Sequence, residues 1–129
     1  MASIFSLIVA GDIPSYKVAE NDEFLAFLDV FPLVEGHVLV IPKKEVDYLF
    51  DIEDKMLADL MLFAKNVAHK MGKVIACERI GVSVIGLEVP HAHIHLIPMN
   101  SVSDMDFSKP KIKIEDGRMK EIANAISQA

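Results

Sequence analysis

The chain has 129 residues, of which 52% are hydrophobic and 25% are charged, so it is neither disordered nor long enough for two ordinary domains. Its formal net charge is −6, from 13 basic and 19 acidic side chains. This charge argues against sequence-independent binding of nucleic acid, which depends on neutralised phosphates. A small phosphate ligand stays compatible with it, because a local site can oppose the net charge.

We predict neither a membrane helix nor a signal peptide. No apolar run approaches the roughly 18 residues that a membrane helix needs. The apolar stretch 4–10 has no basic residue before it, unlike a signal peptide. The single cysteine, Cys77, excludes an intramolecular disulfide framework and is typical of a reducing compartment. We therefore expect a cytoplasmic protein with no membrane partner.

The first half of the chain predicts a short helix followed by strands. Ser3 can cap a helix that Gly11 ends. Three strands follow, the first two joined by a polar turn and the third closed by a proline: 17–20, 24–28 and 36–42.

The second half predicts a long helix, two strands and a last short helix. Asp51 and Asp54 resemble a capping box, and apolar residues repeat at helical spacing until Gly72. The later segments are two strands, a polar extended tail and a helix: 80–85, 91–97, 101–113 and 119–127. These elements predict an α+β domain with an antiparallel sheet.

The most distinctive segment, residues 90–98, reads Pro-His-Ala-His-Ile-His-Leu-Ile-Pro. On a strand, His91, His93 and His95 share one face and the apolar residues between them share the other. We therefore expect the apolar face to pack into the core while the imidazoles line an accessible surface.

Two chemistries suit this row of imidazoles. Neutral imidazoles can bind zinc, or one of them can attack phosphorus while its neighbours orient it and move protons. Along a strand the first and third rings would stand about 13 Å apart, too far to share one metal with bonds near 2 Å. The spacing favours the second chemistry slightly. His37, after Gly36, adds an imidazole that alone is as compatible with structure as with function, whereas His69 is expected to face solvent.

The segment His-Ala-His-Ile-His-Leu-Ile resembles the histidine triad pattern, His-φ-His-φ-His-φ-φ with φ apolar, of the HIT superfamily. Earlier segments, Ala-Gly-Asp-Ile-Pro-Ser and Gly-His-Val-Leu-Val-Ile-Pro-Lys-Lys, resemble its bacterial Hint-like branch, and the likeness covers residues 3–100. The resemblance implies a five-stranded antiparallel sheet with one long helix and short N- and C-terminal helices. It implies one HIT domain over 1–129, with its core at 3–100 and a C-terminal extension and helix at 101–129.

The resemblance also implies a function. It is that of a homodimeric, cofactor-free hydrolase or transferase that cleaves an α-phosphate bond of a purine nucleoside phosphoramidate or related nucleotide. By position, His93 corresponds to the nucleophile that forms a nucleotidyl-histidine, flanked by His91 and His95, and His37 completes the set. Asp29 would accept hydrogen bonds from the ribose. The other implied nucleotide contacts are a base wall and the turn before the triad: Ile4, Phe5, Ile8, Phe27, Val30, Leu39, Gly86, Glu88 and Val89.

Elementary chemistry agrees with these roles. A carboxylate can accept from both hydroxyls of a diol, and aromatic side chains suit a purine face. Neighbouring imidazoles disfavour the protonated form of one another, which keeps a nucleophile neutral. Without the resemblance, Phe5 and Phe27 would be interpreted as ordinary core residues.

The chain departs from the family before the triad. The family usually has Gly-Gln-Ser/Thr-Val-x-His, but residues 86–91 read Gly-Leu-Glu-Val-Pro-His, so Glu88 replaces a hydroxyl. Ile80 stands where a polar Asn or Gln is usual. Three alternatives therefore stay open: a dinucleoside polyphosphate hydrolase, a nucleotide-binding module with reduced catalysis, and a metal-binding protein that uses the histidine row.

The chain also lacks a zinc motif that many bacterial relatives carry. Ser3 and Ser6 stand at the positions of its two cysteines, and Glu45 stands at the position of its histidine. We therefore expect no bound metal.

Overall fold

The computed structural model describes residues 2–129 and contains one five-stranded antiparallel sheet with three α-helices. The helices are α1 (Ile4–Ala10), α2 (Asp54–Val74) and α3 (Asp116–Ser127). The strands are β1 (Lys17–Glu20), β2 (Phe24–Leu28), β3 (Val38–Pro42), β4 (Arg79–Ser83) and β5 (Ile94–Met99). Their order across the sheet is β1-β2-β3-β5-β4. The predicted fold class is confirmed.

One face of the sheet packs against α2 and α3. Alternate residues of three strands point to this main core: Ala26, Leu28, Val38, Val40, Ile94 and Leu96. The helices cover them with buried side chains at helical spacing: Leu60, Ala64, Val67 and Met71 of α2, and Met119, Ile122, Ala123 and Ile126 of α3. Because both helices join one apolar cluster, α3 is built into the same core as the strands.

The opposite face of the sheet carries a smaller apolar cluster, which α1 covers. It contains Phe5 and Ile8 from α1, and Leu25, Phe27, Leu39 and Ile41 from β2 and β3. His95 pairs with Leu39 in the β3–β5 register, so its side chain belongs to this face. We call it the histidine face.

Several element boundaries differ from the sequence prediction. The Ser3 cap of α1 and its end at Gly11 are confirmed. In contrast, α2 continues through Gly72 to Val74, because an interior glycine costs a helix only about 1 kcal/mol and buried Met71 anchors this turn. Helix α3 begins at Asp116, three residues before the predicted start. The prediction began at the first apolar residue of the helix and therefore missed its polar first turn. Short 3₁₀ turns occupy two further segments: Leu49–Asp51 and Val102–Met105.

No helix within residues 2–129 is long and apolar enough to cross a membrane.

Candidate active site

The histidine segment is only partly a strand. Because β5 begins at Ile94, the prediction of a strand over 91–97 is wrong for His91 and His93. The His91 N–H donates to the Val89 carbonyl (2.8 Å), a local turn contact that takes this part of the chain out of the sheet. As a result the ring centroids of His93 and His95 stand 4.9 Å apart, closer than the roughly 7 Å of successive same-face residues on a strand.

The imidazoles are buried, so the prediction of an exposed row is also wrong. Exposed fractions are 1% for His37, 0% for His91, 7% for His93 and 8% for His95. The cover comes partly from α1, whose Phe5 ring stands edge-on to His93 with centroids 5.0 Å apart. His69, by contrast, is exposed on α2 as predicted.

A glycine turn brings His37 to the other three histidines. Gly36 has φ +90°, a conformation that favours glycine, and a Cβ there would lie 2.6 Å from the Ile75 side chain. The backbone N–H of Leu33 donates to His37 Nδ1 (3.1 Å), which leaves the proton on Nε2. His37 Nε2–H then donates to His95 Nδ1 (2.9 Å). The remaining proton of His95 is therefore on Nε2.

His93 has the opposite tautomer. Its Nδ1 lies 2.7 Å from the carbonyl oxygen of His91, and since a carbonyl only accepts, Nδ1 carries the proton. Nε2 keeps its lone pair and has no hydrogen-bond partner within residues 2–129. Every fully buried side-chain nitrogen or oxygen in this range has a partner, so Nε2 of His93 is in contact with solvent. Among the ring nitrogens of the four histidines, it is the lone pair that no group within residues 2–129 engages.

The other imidazoles are neutral at pH 7. Burial lowers the pKa of His37 to about 4, and the charges of Lys111 and His93 lower it further. Burial lowers the pKa of His95 to about 3, with a smaller contribution from the repulsion that its protonated ring would meet from His37 and His93. Burial also lowers the pKa of His91. A set of neutral imidazoles can donate and accept hydrogen bonds at defined nitrogens.

Asp29 lies beside His37. Its backbone N–H donates to the His37 carbonyl (2.9 Å), its Oδ1 accepts from the N–H of Phe31 (2.9 Å), and its Oδ2 lies 3.6 Å from His37 Nε2. Ligand atoms of Asp29, His37 and His95 all lie within 4.8 Å of one another, so this triplet is a candidate metal site. However, the 2.9 Å between the two ring nitrogens is a hydrogen-bond length, shorter than the roughly 3.3 Å between ligands of one tetrahedral zinc ion.

The predicted nucleotide contacts fall into two groups. Five are gathered in the apolar cluster of the histidine face: Phe5, Ile8, Phe27, Leu39 and Val89. The other four are exposed: Ile4, Val30, Gly86 and Glu88. Ile80 stands where the family usually has a polar residue. It packs against the main core rather than on the histidine face.

The residues at the absent zinc motif form a hydrogen-bonded cluster with His91. Glu45 Oε1 accepts from the Ser3 N–H (2.6 Å) and from the Ser6 hydroxyl (2.7 Å), and these bonds lower the Glu45 pKa to about 2. Ser3 Oγ lies 2.9 Å from His91 Nδ1, while His91 Nε2–H donates to the Pro42 carbonyl (2.7 Å). Nδ1 therefore accepts from Ser3, and helix α1 is tied to the histidine segment.

Sequence reasoning missed two residues of the polar tail. The Phe107 ring stands 4.8 Å from the His95 ring and 6.3 Å from the His37 ring, edge-on to both. Lys111 Nζ lies 5.5 Å above the Phe107 ring and donates to the Phe107 carbonyl (2.9 Å). An aromatic residue alone in a polar extended segment was the only sequence signal for this contact.

The sheet thus carries a cluster of buried histidines that a short N-terminal helix covers. This arrangement agrees with the family to which the sequence belongs. Residues 10–102 match the HIT domain family, and the chain belongs to this family. The adenosine 5'-monophosphoramidase of Schizosaccharomyces pombe is 35% identical over 133 residues, covering 98% of this chain and 97% of its own. That of Saccharomyces cerevisiae is 41% identical over 99 residues, covering 75% of this chain and 62% of its own. A Hit-like protein from Bartonella henselae, described as involved in cell-cycle regulation, superposes with a TM-score of 0.84 at 29% identity, covering 98% of this chain and 94% of its own.

Proposed function

We propose that this protein is a nucleotide-binding hydrolase or transferase that cleaves the α-phosphate bond of a purine nucleoside phosphoramidate through a covalent intermediate on His93. The observation that carries the proposal is the fixed tautomer of His93. Its Nδ1–H is bound to the His91 carbonyl, while Nε2 has a lone pair open to solvent. The names of the two fungal relatives support the phosphoramidate class.

The reaction has two steps. In the first, the His93 Nε2 lone pair forms a nitrogen–phosphorus bond, and the phosphoramidate nitrogen leaves with the bonding electrons and takes a proton from solvent. The positive charge that develops on the His93 ring is stabilised by its Nδ1–H bond to the His91 carbonyl. In the second, water adds to phosphorus, loses a proton to solvent and releases His93. Transfer to another acceptor replaces this water.

His95 supplies the neutral donor of the site. Its Nδ1 accepts from His37, so its Nε2–H is free to donate to a phosphate oxygen as charge develops there. The ring is neutral at pH 7 because its pKa is about 3, and its single proton is on Nε2 because Nδ1 accepts from His37.

Asp29 is our candidate for ribose recognition. Its Oδ1 is engaged by the Phe31 N–H, while Oδ2 faces His37 at a distance longer than a hydrogen bond. This oxygen is available to a ribose hydroxyl. The apolar residues of the histidine face suit contact with a purine base. The side chains of Ile4 and Val30 are exposed and can contact the base as well.

The assembly that we propose is a homodimer of HIT units, each spanning residues 1–129. Strand β4 is an edge strand, and large apolar side chains on it, after it and on α2 are exposed: Val82, Ile85, Leu87, Met61 and Leu62. An unpaired edge strand and exposed large apolar side chains favour association with a second copy. Sedimentation should give a dimer that Val82→Glu dissociates and Val102→Glu, a control at another exposed valine, does not. A monomeric wild-type protein would contradict it.

The test of the catalytic proposal uses adenosine 5'-phosphoramidate. We expect AMP release by the wild-type protein, a nucleotidyl adduct on His93 in a rapidly quenched sample, and loss of nearly all turnover in His93→Ala with AMP binding retained. His69→Ala is the control, because His69 is exposed on α2. Unchanged turnover in His93→Ala would overturn the proposal.

Replacing the amine leaving group separates the alternatives. Faster turnover of a diadenosine polyphosphate than of the phosphoramidate would favour the polyphosphate hydrolase. Tight AMP binding without turnover of either substrate would favour a binding module, an alternative that exposed Glu88 in place of a hydroxyl keeps open.

A further inference from the structure

We propose that Lys111 binds the phosphate of the nucleotide, held in position by a strap that we define as residues 106–112. This inference rests on the proposed function and deepens it, since it assigns to the site a cation that lies outside the histidine motif.

The strap is held by a local turn near its start and by a backbone hydrogen bond to another loop at its end. Near its start, Asp106 accepts from the N–H (2.9 Å) and the hydroxyl (2.6 Å) of Ser108, which turns the chain. At its end, the Ile112 N–H donates to the Pro32 carbonyl (3.0 Å). Pro32 precedes Leu33, whose N–H binds His37. The strap is therefore fastened to the same loop that orients the His37 imidazole.

Phe107 links Lys111 to the imidazoles. The ring meets His95 edge-on at 4.8 Å, and the Lys111 ammonium stands 5.5 Å from its centroid. One ammonium proton goes to the Phe107 carbonyl (2.9 Å), which leaves two N–H donors for a ligand. No carboxylate within residues 2–129 forms an ion pair with Lys111, whereas Lys43 and Lys120 are paired with Glu20 and Asp116.

The site needs such a cation. The imidazoles of His37 and His95 are neutral, so they donate hydrogen bonds to a phosphate without balancing its charge, and the chain as a whole is acidic. Lys111 is the lysine whose charge acts on both of these imidazoles, and no arginine does. A charge-assisted hydrogen bond from its ammonium group is stronger than one from a neutral donor.

The experiment compares two ligands that differ only in the phosphate. Affinities for AMP and for adenosine are measured by calorimetry on the full chain at low and high salt. The variants are Lys111→Met, Lys111→Arg and Lys109→Met, the last a control at a neighbouring exposed lysine of the strap. Thermal denaturation of each variant verifies that it is folded.

We expect Lys111→Met to weaken AMP roughly tenfold, as for loss of a hydrogen bond to a charged group, without changing adenosine binding. Lys111→Arg should retain AMP binding, Lys109→Met should match the wild type, and high salt should shrink the difference. Equal affinity of Lys111→Met and wild type for AMP would overturn the role of Lys111, as would parallel loss of adenosine. If these effects appear but no adduct forms on His93, only the covalent mechanism fails. If the wild type binds no AMP, both proposals fail.

Discussion

We expect the buried histidines to make the free energy of unfolding fall steeply between pH 7 and pH 5. His37 and His95 have pKa values of about 4 and about 3 in the folded chain, against 6.5 when unfolded. Below pH 6.5 the unfolded chain takes up protons at both positions and the folded chain does not. The free energy of unfolding therefore decreases as the pH falls, and the stabilisation is fully present only above pH 6.5.

The size of this effect follows from the pKa difference. At pH 5 a histidine that the fold keeps unprotonated lowers the free energy of unfolding by about 2 kcal/mol. This figure follows from the 1.5 pH units between pH 5 and the unfolded pKa of 6.5, at about 1.4 kcal/mol per unit. For His37 and His95 together we expect about 4 kcal/mol, a large share of the 5–15 kcal/mol that is usual for a domain. The comparison stops at pH 5 because Glu45 also loses stabilisation at lower pH. Its pKa is lowered to about 2 in the folded chain, so this loss of stability occurs mainly below its unfolded pKa of 4.5.

Urea unfolding at pH 7, 6 and 5 measures this loss directly. His37→Gln should remove at least 2 kcal/mol of the pH dependence, because it deletes one buried imidazole and the charge that acts on His95. His69→Gln, at an exposed histidine, should leave the pH dependence unchanged. A wild-type protein equally stable at pH 7 and pH 5, or a His37→Gln variant with the wild-type slope, would refute the reasoning.

Three further predictions concern the ligand, metals and the α1 contact. Asp29→Asn should weaken AMP far more than inorganic phosphate, because it removes a charge-assisted acceptor for the ribose; equal weakening in titrations of both ligands would exclude that role. EDTA should leave turnover unchanged in a steady-state assay, since the proposed steps use no Lewis acid, and loss of activity that zinc restores would instead favour the Asp29–His37–His95 triplet as a metal site. Ser3→Ala should lower the free energy of unfolding by about 2 kcal/mol in urea, because it removes the α1 cap and leaves buried His91 Nδ1 with the weaker 3.4 Å contact to Ser6. Ser103→Ala, at an exposed serine, should change little.

The sequence was a good guide to the cap of α1 and to the apolar runs, but the capping box predicted at Asp51 and Asp54 is not formed, since Glu53 precedes α2 without a side-chain cap bond. Ser3 and Gly11 fix the ends of α1, and the short apolar runs at 24–28 and 38–42 form the strands β2 and β3, which are buried along their whole length. It was a poor guide to the histidine segment, where the pattern His-φ-His is equally compatible with a strand and with a turn. Besides the local bond from the His91 N–H to the Val89 carbonyl, a contact distant in sequence holds this segment outside the sheet, the bond from the Ala92 N–H to the Val46 carbonyl (2.7 Å). The contact of Phe107 with His95 was invisible for the same reason, since no local pattern encodes it.

The chemistry of the site is determined by backbone groups as much as by the four histidines. The Leu33 N–H donates to His37 Nδ1, which keeps the protons of His37 and His95 on their Nε2 atoms, and the His91 carbonyl holds the His93 proton on Nδ1. Loss of the Leu33 contact would release His37 and His95 to their other tautomers, whereas loss of the His91 carbonyl contact would allow the His93 proton to move to Nε2, the proposed nucleophile. Because these groups lie in loops rather than in the sheet, their positions depend on the turn at Gly36 and on the point, Ile94, at which the chain enters β5. His91 and His93 lie outside β5, where the His91 carbonyl accepts from His93 Nδ1. In the proposed mechanism this contact is what leaves the Nε2 lone pair available for attack on phosphorus.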